Sequence, residues 1–479
     1  MPHLPANTAK GSKLADGLFL LSFLIIYGLL IAHGIPEWRL ERISILQNET
    51  PIKQVVLFFL FTMSFLCLVL TFARVHLKYW LFLVLCFVPL EFSKPFLFLP
   101  RFTPLDYLCA ASVLSVLIYS PWKMLWAECR RIFGDWALGF WIGFLVYSWV
   151  MSYVLHGNPR GAFRWVGFLF CYFVTSRILA TDLTFQEQLA ALLTLLGTAV
   201  SLLGLYQISH IRAYTNVEAL FNQHNICSAF LALCIPAMIG FARSGSIFPR
   251  LVKLFCLVIS ATAFLLAYSR GAWAGILVGS LLTFSLGYFP RRFSKRASAF
   301  YGLLAAGATA LVVFTVVHNG SHLVNDSGRP EYWHAGLRVF STHPWVGLGP
   351  GGYAKNIHAY LTPADRMLYR VNAEGHPTDF WQHLHNLYLQ ILVEYGLIGF
   401  AVWGLGLGSL IYRAWKGLPI NGDLKTSLKP FFFISVVGFL VHNTVDIVTV
   451  NSFDMVFGIL LAILAFHPPK KYSDSQQAG

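Results

Sequence analysis

Residues 55–73 read VVLFFLFTMSFLCLVLTFA, and residues 298–317 read SAFYGLLAAGATALVVFTVV. Neither stretch contains a charged side chain. About 20 apolar residues suffice to cross the hydrocarbon core of a bilayer as an α-helix. Similar runs recur near 15–34, 79–92, 104–119, 135–155, 165–181, 188–207, 225–242, 251–268, 271–289, 395–412, 430–449 and 453–467. The sequence therefore predicts an all-α, polytopic helical membrane protein with about 12–14 transmembrane helices. The composition agrees. Of the 479 residues 57% are hydrophobic and only 12% charged, where soluble domains carry about 25%.

A net charge of +14 raises the question of nucleic acid, but the basic residues gather in short connections between apolar runs. With the N-terminus on the cytoplasmic side, the inner segments hold Arg74/Lys78, Lys123/Arg130/Arg131, Arg243/Arg250, Arg291/Arg292/Lys295/Arg296, Arg413/Lys416/Lys425 and Lys470/Lys471. That is the positive-inside pattern, and it places both termini in the cytoplasm. The eight cysteines lie in or beside apolar runs or in a basic loop, with no CxxC pair, so neither a disulfide framework nor a zinc site is indicated. The first apolar run follows Lys10 and Lys13 without a small-residue cleavage site and reads as a retained span.

Four arginines fall on the outer side against this pattern. Arg160 and Arg164 lie in GNPRGAFRW, Arg212 in SHIRAYTN, and Arg270 in AYSRGAWAG. A charge flanked by apolar sequence is costly at membrane depth unless it faces a cavity or a partner, so Arg270 marks an anion site. The long hydrophilic segment, about 318–385, also belongs outside. It divides the chain into a first bundle (1–317), an outer lid with short helices (318–385), a second bundle (386–467) and a cytoplasmic tail (468–479). Helix signals fill the lid: SGRPEYWHAGLRVF with Pro330 early and Arg338 late, TPADRMLYR with Thr362 as cap, and HPTDFWQHLHNLYLQ.

The last of these runs on as HNLYLQILVEYGLIG. At about 100° per residue, Asn386, Gln390 and Glu394 form one polar stripe, and His385 stands about 180° from Glu394. A partner that orients His385 must then come from the lid or another span, while Glu394 locks the helix to its neighbours. A neutral imidazole titrates near working pH, which makes His385 a candidate general base. His334, His343, His358, His376 and His383 share the lid segment, but no HExxH motif specifies a metal. GLGPGG at 347–352 satisfies GxGxxG formally. Without a preceding strand, and with Pro350 inside it, it reads as a tight turn that holds the lid near the membrane. No Walker A motif occurs, so no nucleotide partner is indicated. FNQHNICSAFLALCIPA (221–237) and VHNTVDIVTVNSFD, with His442, Asn443, Asp446 and Asp454, place further polar groups at the same outer level. Together these predict a basic, polar cavity opening outward, suited to a pyrophosphate.

HNLYLQILVEYGLIG fits H-[NSQ]-x9-G-x-x-[GTY] through His385, Asn386, Gly396 and Gly399, a pattern associated with O-antigen ligases. AYSRGAWAG, SGRPEYW, STHPWVGLGPGGYA and the late His442…Asp446 resemble the same ligase/polymerase superfamily in the same order. The resemblance implies an enzyme of the bacterial inner membrane with its site facing the periplasm. It would move a glycan from undecaprenyl pyrophosphate to a sugar hydroxyl of lipid A–core, with inversion and without ATP, metal or other cofactor. O-antigen polymerase and protein O-oligosaccharyltransferase share these features. His385 would be the base, and Arg270 and Arg329 would bind the pyrophosphate, although the R-x3-L pattern of the ligases is absent at both. Arg160, Arg164, Arg212, Arg338, Asn386 and His442 are the further substrate-binding candidates. A lipid-linked glycan transporter is the more distant alternative; it would favour internal repeats and polar groups spread through the membrane, and neither is evident.

Overall fold

Lipid offers no hydrogen-bond partners, so the backbone of an apolar run satisfies itself by forming helix. The computed structural model describes residues 77–90, 135–157, 160–210, 216–221, 223–243, 247–285, 329–362, 383–418, 427–449 and 453–466, with isolated positions between 122 and 130. Among them there is no β-strand. In chain order the helices are α1 (Leu77–Phe87), α2 (Trp136–Val154), α3 (Arg160–Leu179), α4 (Phe185–His210), α5 (His224–Ala242), α6 (Ile247–Leu266) and α7 (Arg270–Thr283). They continue with α8 (Arg329–Thr342), the short α9 (Gly352–Asn356), α10 (Leu387–Lys416), α11 (Lys429–His442) and α12 (Phe453–Ala465).

Five of these are long and apolar enough to cross a membrane: α2, α4, α5, α10 and the Pro249–Leu266 part of α6. The chain is a multi-pass, all-α membrane protein. The expected spans at 15–34, 55–73, 104–119 and 298–317 lie outside the described residues, as do the short helices expected within 363–382. α5 is apolar on all sides and almost wholly buried, whereas α6 exposes Leu251, Phe255 and Val258 on an outward face. An apolar outer face of this kind suits lipid.

Aromatic side chains hold the centre. Trp141 of α2 lies 4.6 Å from Phe168 of α3, and Phe144 lies 5.0 Å from Tyr395 of α10. Phe168 in turn stacks on Phe457 of α12. At one end of α2, the Arg413 guanidinium of α10 grips both carboxylate oxygens of Asp135, which also caps α2 through the Ala137 and Leu138 amides.

Two seams position the polar end. Gly271, Gly275 and Gly279 recur every four residues along α7 and face α11. A methyl group on Gly275 would stand 2.4 Å from the Gly438 carbonyl oxygen, so the two backbones touch as small residues in membrane helices allow. The second seam is a break in α10. Gly396 adopts φ 63°, ψ −173°, a conformation open almost only to glycine. The turn after α8 docks there. Leu397 and Ile398 donate to the Pro344 and Trp345 carbonyls, and Leu348 and Gly349 donate to the carbonyls of Val393 and Glu394. Backbone groups released by the break are thereby satisfied within the protein. Gly347, Gly349 and Gly351 all have positive φ, which makes the GLGPGG stretch a tight turn seated on α10.

Of the boundaries that differ from the sequence expectation, two shape the site. The helix that carries the span expected at 395–412 extends back across the break at Gly396 to Leu387, a stretch in which Gln390 and Glu394 satisfy each other. The span expected at 430–449 stops at His442, where the Asn443 amide bonds back to Phe439 and its oxygen accepts from Val448. Residues 443–449 form a polar turn instead of a last helical turn.

Candidate functional site

His385 lies in the turn just ahead of α10 with a left-handed backbone, φ 48°. Asn386 is the cap: its Oδ1 accepts from the Leu389 amide at 3.0 Å. The helical wheel assumed that 385 and 386 belong to the helix. They do not, because an asparagine at this point satisfies a first-turn amide better from outside. His385 is therefore aimed by the loop and not by the helix face.

The partner of His385 is Asp446. Imidazole Nδ1 stands 3.0 Å from Asp446 Oδ1, with the histidine side chain 26% and the carboxylate 7% exposed. The polar turn holds the carboxylate in place. Oδ1 also accepts from the Ile447 amide at 2.8 Å, and the Asp446 amide donates to the His442 carbonyl. Two bonds tie this turn to the start of α10: Asn386 Nδ2 donates to the Thr444 carbonyl, and the Leu387 amide donates to the Asn443 carbonyl. From the other side, the Tyr332 ring of α8 stacks on the imidazole at 5.6 Å between centroids. Trp333 Nε1 donates to the carbonyl of Leu384, the residue before His385.

A histidine held at Nδ1 by a carboxylate keeps one tautomer, with Nδ1–H donated and the Nε2 lone pair free to take a proton. The 26% exposure leaves the ring reachable, while the carboxylate behind it is shielded. Such a pair can remove a proton from a hydroxyl placed before Nε2.

Arg270 is the first residue of α7 and half-exposed. Its neighbours fix its place in the fold. Ser269 Oγ lies 3.4 Å from His442 Nε2, and a methyl group on Gly271 would stand 2.6 Å from His442 Cδ2. The α7–α11 seam thus brings the start of α7 against the residue that opens the Asp446 turn. Ser269 caps α7 without a side-chain hydrogen bond, which leaves the first-turn amides beside Arg270 without a side-chain cap. Among the described residues Arg270 has no ion-pair partner.

The remaining sequence candidates divide. His442 is 2% exposed and sits in the α7–α11 seam. Arg338, half-buried, donates from Nε to the Tyr360 carbonyl at 3.1 Å and so joins α8 to the 357–360 turn. Asn386 is engaged in the cap and in the bond to Thr444. Arg160 and Arg164 lie on α3 and Arg329 on α8, and Arg212 is outside the described residues. Among the described residues no group of three or more His, Cys, Asp or Glu side chains converges. In the sequence Asp446 was one of several polar groups near a span and part of the late His442…Asp446 stretch of the resemblance, with no role of its own assigned. The clue to its role was the asparagine three residues before it, a turn-former that argues against continued helix.

No curated protein matches the chain. Residues 255–404, about a third of it, match the family model described as O-antigen ligase. The matched stretch runs from α6 into α10 and includes Arg270, Arg329, Arg338, His385 and Asn386, while Asp446 falls beyond it. Within the all-α membrane fold, this segment is what the chain shares in likeness with the O-antigen ligase family.

Proposed function

We propose that the protein transfers a glycan from undecaprenyl pyrophosphate to a sugar hydroxyl of lipid A–core at the periplasmic face of a bacterial inner membrane. The observation that carries this reading is the His385–Asp446 pair, 3.0 Å apart in a partly exposed setting. Nε2 of His385 takes the acceptor hydroxyl proton as the hydroxyl oxygen forms its bond to the anomeric carbon. The bond from that carbon to the pyrophosphate oxygen breaks on the opposite face, so the configuration inverts and the electron pair leaves with the pyrophosphate. Asp446 stabilises the imidazolium that forms.

Charge growing on the leaving group calls for cations and amides at a fixed place. Arg270 and the amides that open α7 are the first choice, with Arg329, Arg160, Arg164 and Arg212 as further anion contacts. Arg338, Asn386 and His442 contribute by holding the surrounding elements. α8, whose Tyr332 ring stacks on His385, forms part of a lid over the acceptor site. The pyrophosphate is already an activated leaving group, so the reaction draws on no nucleotide.

A test uses the purified protein with a lipid-pyrophosphate glycan and lipid A–core in detergent, without nucleotide. Glycan attached to the lipid core supports a ligase. Lengthened donor glycan in place of that product assigns the chain to the polymerase side of the superfamily. No transfer of either kind contradicts the proposal.

A further inference from the structure

We propose that Gln390 and Glu394 are positioning residues that hold His385 in its catalytic geometry through the peptide ahead of it. The inference rests on the reading of His385 as the base. Gln390 Nε2 donates to Glu394 Oε1 at 2.6 Å, and Gln390 Oε1 accepts from the Leu384 amide at 3.1 Å. Both side chains are buried in the first turns of α10. The Leu384 carbonyl, in turn, accepts from Trp333 Nε1 at 2.9 Å. The Leu384 side chain is fully buried and fills the space above Gly336 of α8. One residue is therefore fixed at its N–H, its C=O and its side chain, and the next residue is His385.

That fixation has a physical purpose. His385 has φ 48°, a region that a β-carbon disfavours and that persists only where the surroundings over-determine it. Without the clamp, the turn would relax toward ordinary backbone and swing the imidazole away from Asp446. Glu394 and Leu384 supply the direction. Glu394 Oε1 accepts here and the Leu384 N–H can only donate, so together they select the amide orientation that points the Gln390 NH2 toward Glu394. The Gln390 oxygen is then turned to the Leu384 N–H. In the flipped orientation two donors would face each other at Leu384 and two acceptors at Glu394. The pair thus acts on His385 from inside the membrane helix without touching substrate.

The test compares Gln390→Met, which keeps length but loses both bonds, with Glu394→Gln, which keeps shape but can turn a donor toward Gln390. Transfer kinetics are measured for each, alone and in a His385→Ala background. The expected result is a kcat lower by about 10- to 100-fold for Gln390→Met, with KM for the lipid-linked donor within about twofold. Glu394→Gln gives a smaller loss in the same parameter, and neither adds to the loss caused by His385→Ala. Glu394→Gln is nearly isosteric and decides the matter alone if Gln390→Met does not yield folded protein. Wild-type kcat in the variants, beside an inactive His385→Ala, overturns the positioning role and leaves the base assignment standing. Equal losses with and without His385 also overturn it, since they indicate general destabilisation. Full activity in His385→Ala removes both the base and the clamp built on it.

Discussion

His385 Nδ1 and Asp446 Oδ1 lie 3.0 Å apart although 61 residues separate them in the chain. The contact exists because the turn after α11 is stitched to the cap of α10 by Asn386 and Asn443. Replacing Asp446 by Asn keeps the shape and removes the charge that stabilises an imidazolium. We expect Asp446→Asn to lower kcat by about 100-fold, within the range of acid–base contributions, with donor KM little changed. Steady-state transfer kinetics check this, and unchanged kcat refutes the orienting role.

The seam between α7 and α11 predicts a different kind of failure. A β-carbon on Gly275 meets backbone at 2.4 Å, and neither helix has a side chain there that can move aside. Gly275→Ala should cost about 1–3 kcal/mol by overpacking and draw Arg270 away from the Asp446 turn. Thermal unfolding in detergent reports the first effect, and a raised donor KM reports the second.

The break in α10 is equally specific. At Gly396 the backbone angle strains any other residue, and a β-carbon would stand 2.3 Å from the Trp345 carbonyl. Gly396→Ala should destabilise by at least about 1–3 kcal/mol and release the 344–349 turn. Faster proteolysis within that turn, against wild type, is the measurement.

Away from the site, Lys78 Nζ and Asp182 Oδ2 are 3.4 Å apart between α1 and the α3–α4 turn. Burial pushes the Asp182 carboxyl up, but the Thr184 hydrogen bonds and the Lys78 cation outweigh it and hold the pKa below the usual value. The charged form is thus favoured in the folded state. Its contribution is present above the ordinary carboxylate pKa and is lost as pH falls through the lowered one. Asp182→Asn should remove no more than about 1 kcal/mol at neutral pH and nothing in strong acid, as unfolding at two pH values can show.

Much of this architecture was legible in the sequence, and the rest was hidden for identifiable reasons. Apolar run length located α2 to α6, because lipid leaves the backbone no other solution. His385 and Arg270 stood out as polar groups at the edge of apolar sequence. The wheel failed at 385 and 386 because it extended a regular helix through a cap, and a left-handed residue breaks the periodicity on which a wheel depends. It still implied that the partner of His385 came from elsewhere in the chain. The pairing of Asp446 with His385 was hidden because Val445, Ile447 and Val448 continue the apolar pattern of α11 while the backbone has already left the helix. The latch at Gly396 was foreshadowed by the glycines of 347–352, but its acceptor site on α10 is a tertiary relationship without a local signal.

The most direct test of the account is transfer by purified His385→Ala with a lipid-pyrophosphate glycan and lipid A–core. The account predicts a rate lower than wild type by about 10²–10⁴-fold, with the donor still bound. Transfer at the wild-type rate would contradict it.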